Sequence, residues 1–209
     1  MPRSGFRLTG LFYGAHGIVF AKLNTLREYA MEHTEIINFW FNEIDSSLWF
    51  KKNAEFDRLL QDRFSSVHRA AIQGELYSWR ANPEGRLAEI IVLDQFSRNM
   101  FRDNAEAFAY DTIALILSQV AVETGDDGRI DPSHRAFMYM PFMHSESPLI
   151  HERAVKLFSQ PGLERNLEFE MKHKTIIDRF GRYPHRNAVL GRESTSEELD
   201  FLQQPGSSF

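Results

Sequence analysis

The chain has 209 residues, 43% of them apolar and 25% charged, the profile of one globular domain able to bury a substantial core. Its net charge of −5 excludes general affinity for nucleic acid or anionic membrane, both of which need a basic surface. With no Cys, disulfides, thiolate nucleophiles, cysteine-ligated zinc and iron–sulfur clusters are excluded as well, and a cytoplasmic location is expected.

Residues 1–30 stand apart. Leu8 to Ala21 is moderately apolar, follows Arg3 and Arg7, and ends in Val19-Phe20-Ala21, which resembles a signal-peptide cleavage site. Gly10, Gly14, His16 and Gly17 interrupt it, leaving it too short and broken to span a bilayer. The expectation is a disordered extension, or residues upstream of a natural start at Met31; a packed segment and a cleaved signal are the alternatives. Residues 31–209 are expected to form a single domain.

From there helix signals recur and strand signals are weak. Glu35 to Asn42 supplies a first helix. Phe56, Leu59, Leu60, Phe64, Val67 and Ala71 follow three-and-four spacing and predict a second, capped by Asn53 and stopped at Gly74. Asn82-Pro83 opens a third, carrying Leu87, Ile90, Ile91 and Leu93. Phe108, Ile113, Leu115, Ile116 and Val120 predict a fourth, closed by the turn from Gly125 to Gly128. Asp131-Pro132 begins a fifth that should end or kink at Pro141. Ile150 to Phe158, Leu163 to Arg179, and a last helix opened by the Thr195/Glu198 capping box complete about eight. Helices this short must pack on one another, and the 18 Phe and 3 Trp supply the interior. The fold class is therefore all-α, a single domain of antiparallel hairpins. No repeat of fixed period is present.

Three stretches carry more polar chemistry than a scaffold needs. In Asp94-Gln95-Phe96-Ser97-Arg98-Asn99, Asp94 and Arg98 are spaced to pair on one helical face. Either the group locks a helix terminus, with Asn99 and Arg102 on the final carbonyls, or Arg98 clamps an anion with Asp94 orienting it. His144-Ser145-Glu146 cannot be a hydrolytic triad, because consecutive residues point in different directions. His151-Glu152 lacks the second His of a zinc-protease helix. Ser145 or Ser147 before Pro148 reads as a turn and cap, while His144 with Glu146 can join an acid–base or metal site if His151, His173 or His185 approaches. No metal or other cofactor is expected. From Arg179 to Arg192 the chain holds four Arg and one His with no acid; these either serve the negative end of the preceding helix or present bidentate forks to an anion.

Together with Phe39-Trp40-Phe41, the blocks Ile91 to Asn99, Met140 to Glu146 and Arg179 to Asn187 resemble, in order, those of the bacterial domain-of-unknown-function 924 family, over about Ile36 to Leu202. Ser97 and Ser196 stand where that family usually has Pro. The resemblance implies an all-helical, tetratricopeptide-like fold and no established activity. Two functions are expected from it and from the residues. One is a helical adaptor module for a protein or peptide partner. The other is a small-molecule site or enzyme for an anionic ligand. In it Asp94, Arg98, Asn99, Arg182, Arg186 and Asn187 would bind, and His144, Glu146 and His185 would be the catalytic candidates.

Overall fold

The computed structural model describes residues 31–208; the expectation for residues 1–30 lies outside them. Eight helices follow one another, and the described residues contain no strand. Helix α1 (His33–Asn38) opens with a capping box between Glu32 and Glu35 and runs directly into a π-turn, Phe39–Glu43. Helix α2 (Ala54–Ile72) starts where Asn53 accepts the backbone N–H groups of Glu55 and Phe56. It buries Phe56, Leu60, Phe64, Val67 and Ala71. Leu59, expected in that core, is 43% exposed, because it sits at the edge of the apolar arc.

Helix α3 is the spine. Pro83–Ile91, a π-turn at Val92–Phe96, and Ser97–Met100 form one continuous helix. The Asp94–Asn99 stretch, expected at a helix terminus, lies in the last two turns of this helix, starting inside the π-turn. A π-turn inserts one residue and rotates every later side chain relative to the turns before it. Gly85 on α3 is required: a Cβ there would lie 2.1 Å from the carbonyl oxygen of Trp79.

Helix α4 (Asp111–Glu123) ends at Gly125, which adopts a φ of 73°. It begins later than the spacing suggests, leaving Phe108 in the preceding turn. Ile113, Ile116 and Val120, whose apolar spacing predicts this helix, face outward at 39%, 53% and 38% exposure. Helix α5 (Arg135–Met143) continues through Pro141 instead of ending there; so near the C-terminus, the proline forfeits one backbone bond. Helices α6 (Pro148–Phe158) and α7 (Glu164–Phe180) follow, the latter stopped by Gly181 at φ 67°. The capping box of Thr195 and Glu198 opens α8 (Ser196–Leu202).

Consecutive helices from α3 to α7 pack against one another, and α3 with α5 and α5 with α7 also touch. Phe39 meets Phe64 at 4.6 Å between ring centres, and Trp40 meets Phe96 at 5.6 Å. Phe96, buried completely, comes from the α3 π-turn, so one local irregularity feeds both the aromatic core and the polar group below. Full burial of each such side chain is worth roughly 1.5–3 kcal/mol. Among the described residues one stretch, Ala105–Glu123, is long and apolar enough by composition to cross a membrane. It contains a turn, and Asp111 within it is paired to two arginines.

Candidate functional site

The α3 π-turn points Asp94 into the protein, where it is 1% exposed. One oxygen, Oδ1, lies 2.7 Å from His144 Nδ1 and 3.0 Å from Arg98 Nη1; the other accepts from Gln95 Nε2 at 2.6 Å. Burial alone would raise the Asp94 carboxyl, but Arg98, His144 and Gln95 outweigh it and hold it below the ordinary carboxylate range. An ionised Asp94 only accepts, so Nδ1 of His144 carries the proton. Burial, reinforced by the charge of Arg98, pushes His144 down, against the pull of Asp94. The imidazole is thereby neutral, and its second nitrogen, Nε2, keeps a lone pair. No hydrogen bond engages that nitrogen among the described residues.

Arg98 forms a two-pronged pair with Asp111 at the start of α4, at 2.9 and 3.0 Å. Asp111 Oδ2 also accepts from Arg186 Nη1 at 3.2 Å. The Arg186 guanidinium sits 4.5 Å from the Phe108 ring centre and 4.4 Å from that of Tyr183. Stacking of this kind on desolvated rings favours a cation by about 2 kcal/mol, while burial lowers the Arg186 pKa. Among the described residues its buried Nε has no hydrogen-bond partner, and neither has Nδ1 of His185. Burial, with Arg186 adjacent, brings His185 to about 4.

The turn carrying His144 is braced on every side. Tyr183 donates its hydroxyl to the carbonyl of Met143 at 2.5 Å. The carbonyl of Ser145 accepts from His151 Nε2 at 2.8 Å. Glu146 receives the backbone N–H of Tyr183 at 2.8 Å and both terminal nitrogens of Arg192 at 2.6 and 2.9 Å. His151 and Glu170, both fully buried, meet at 2.7 Å. Since the Ser145 carbonyl only accepts, Nε2 of His151 must hold a proton, and one further proton lies between Nδ1 and the Glu170 carboxyl.

The structure therefore brings Asp94, Arg98, His144 and Arg186 into one network and places other candidates elsewhere. Glu146 contacts Arg192 and Tyr183, not His144. Arg182 is taken by Glu198 at 2.6 and 2.7 Å and fastens the start of α8. Asn187 binds Ser194 and Arg192. Asn99 joins the Gln95 carbonyl to Arg102, which forks onto Asp57. Arg98, expected as an anion clamp, has its terminal nitrogens already held by Asp111 and Asp94. The residue missed from sequence is Asp111, an acid in the first turn of a helix, a position that explains an acid without any site; Arg192 was read within the arginine stretch and Phe108 as a helix residue, neither as part of a site. Among the described residues no group of three His, Asp or Glu is placed to hold a metal ion. A cleft of about 380 Å³ lies apart from the network, lined by Gln119, Val122, Glu123, Phe142, Ile150 and Arg153.

The model of a family described as bacterial protein of unknown function (DUF924) matches residues 36–206. The chain belongs to the DUF924 family. A solved structure of a protein of unknown function from Agrobacterium tumefaciens is similar at 38% identity, with a TM-score of 0.77, over 82% of this chain and 96% of that one. No curated protein matches. DUF924 membership covers every residue of the Asp94–His144 network and its braces.

Proposed function

We propose that the protein is a small-molecule enzyme whose working group is the His144 imidazole, acting as proton acceptor through Nε2. The observation that carries this reading is the 2.7 Å bond from the buried Asp94 to His144 Nδ1 within a set of half-buried ion pairs. A carboxylate in that position fixes the tautomer and ring orientation and stabilises the imidazolium formed when Nε2 takes a proton. Among the described residues no Ser or Thr hydroxyl is hydrogen-bonded to the His144 ring, so general acid–base chemistry is favoured over a nucleophilic triad. Around it, the guanidinium groups of Arg98 and Arg186 face the carboxylates of Asp94 and Asp111. This balance suits an uncharged or singly charged substrate better than a phosphate dianion, with the unpartnered Arg186 Nε as the donor that would orient it.

A thermal-shift panel of short carboxylic acids, uncharged esters and amides, and phosphate monoesters tests the proposal. A weakly charged compound should raise the melting temperature of wild type by mass action, and His144→Ala should abolish the rise. Equal responses in both proteins, or a response confined to phosphate monoesters, would overturn it. A helical adaptor for a peptide partner is the second reading. It is supported by the stacking of α3, α5 and α7, the order expected of tetratricopeptide-like hairpins. The cysteine-free composition supports a cytoplasmic location.

A further inference from the structure

Helix α4 presents a different problem from the polar network. Between Asp111 and Glu123 it carries no charge, yet only Ala114, Leu117, Ser118 and Ala121 are buried. A helix apolar all round belongs in an interior; this one shows solvent a ridge of Ile113, Ile116 and Val120. At about 100° per residue, the next arc of the same helix bears Gln119, Val122 and Glu123. That arc forms one wall of the cleft whose other wall is Ile150 and Arg153 of α6. Leu149, 77% exposed, extends the apolar surface beyond it. Ridge and groove thus lie side by side, and among the described residues neither Glu123 nor Arg153 has an ion-pair partner.

We infer that this face is where two copies of the chain associate, related by a two-fold axis beside α4. A two-fold interface requires a surface complementary to itself, in which each residue meets its counterpart's partner. A ridge flanking a groove meets that requirement in shape, since each copy's ridge enters the other's groove. The unpaired Glu123 and Arg153 meet it in charge, since rotation brings each opposite its complement. An unrelated partner would need to supply a matched ridge and both charges, which a second copy already has.

Sedimentation velocity on the full chain, from about 1 to about 100 µM protomer, tests this directly. The expected result is a monomer–dimer equilibrium that Ile116→Asp shifts to monomer, with an unchanged circular dichroism spectrum and melting curve for the diluted protein. Glu123→Arg and Arg153→Glu should each weaken the dimer by about tenfold, and the double variant should recover it. Wild type that stays monomeric across the range overturns the inference. So does a dimer indifferent to Ile116→Asp, or a wild-type monomer whose ridge binds an apolar dye that Ile116→Asp abolishes. None of these outcomes depends on the role of His144.

Discussion

His144 sits at the C-terminal cap of α5 with Nδ1 committed to Asp94 and the carbonyls on either side of it held by Tyr183 and His151. Catalytic groups work when their supporting contacts fix them within a fraction of an ångström, and these contacts fix the backbone as well as the ring. Tyr183→Phe removes the donor to Met143 and should cost about 1–2 kcal/mol in urea unfolding. It should also broaden the His144 resonances; a destabilised protein with an unaltered His144 signal would show that the hydroxyl does not position the ring. Asp111 carries more weight. It is the shared partner of Arg98 and Arg186, so Asp111→Ala leaves the buried Arg186 and the half-buried Arg98 short of charge and should cost about 3–5 kcal/mol. A loss under about 1 kcal/mol would mean that water replaces the carboxylate there.

At the level of helices, the polar group depends on the π-turn in α3 and on the close approach of α3 to the turn before it. Gly85→Ala places a methyl group against the Trp79 backbone, which cannot rotate away, so a loss of about 3 kcal/mol or more is expected in chemical unfolding. A neutral result would show that the Trp79 turn yields freely. Most helices were legible in the sequence, because Asn53, Asn82-Pro83, Gly181 and Thr195 act on their own neighbours. The π-turn was not legible: no local signal in Val92–Phe96 distinguishes an inserted residue from an ordinary turn. The outward face of α4 was not legible for a different reason. Apolar spacing says which residues avoid water, and at Ile116 the described chain leaves that demand unmet.

Across the whole molecule, pH is the lever. Burial brings His68, His173 and His185 to about 4, 3 and 4, against about 6.5 in an unfolded chain. Below that value the unfolded state binds more protons, so the stability these neutral imidazoles contribute is complete above about pH 6.5 and falls as pH drops toward 4 and 3. Each unit of separation corresponds to about 1.4 kcal/mol per group. Asp94 and Glu146, with native values below the ordinary range, add a second loss that begins near about pH 4 and deepens as they protonate. Urea midpoints should therefore fall between pH 7.5 and 4.5, already before the carboxylates titrate. His68→Gln and His185→Gln should flatten that first phase; a flat wild-type profile above about pH 4.5 would contradict it. The charge network itself was half legible. Asp94 and Arg98 announce their pairing by four-residue spacing. Asp111 and Arg186 meet across 75 residues, which no local pattern encodes.

The proposed role of His144 stands or falls on which ring nitrogen holds its proton. Long-range ¹H–¹⁵N correlation on the labelled full chain at about pH 7 reads this directly. The expected result is a neutral ring, protonated at Nδ1 and bare at Nε2, with that preference lost in Asp94→Asn. A ring protonated at Nε2, or a charged imidazolium at that pH, would contradict it.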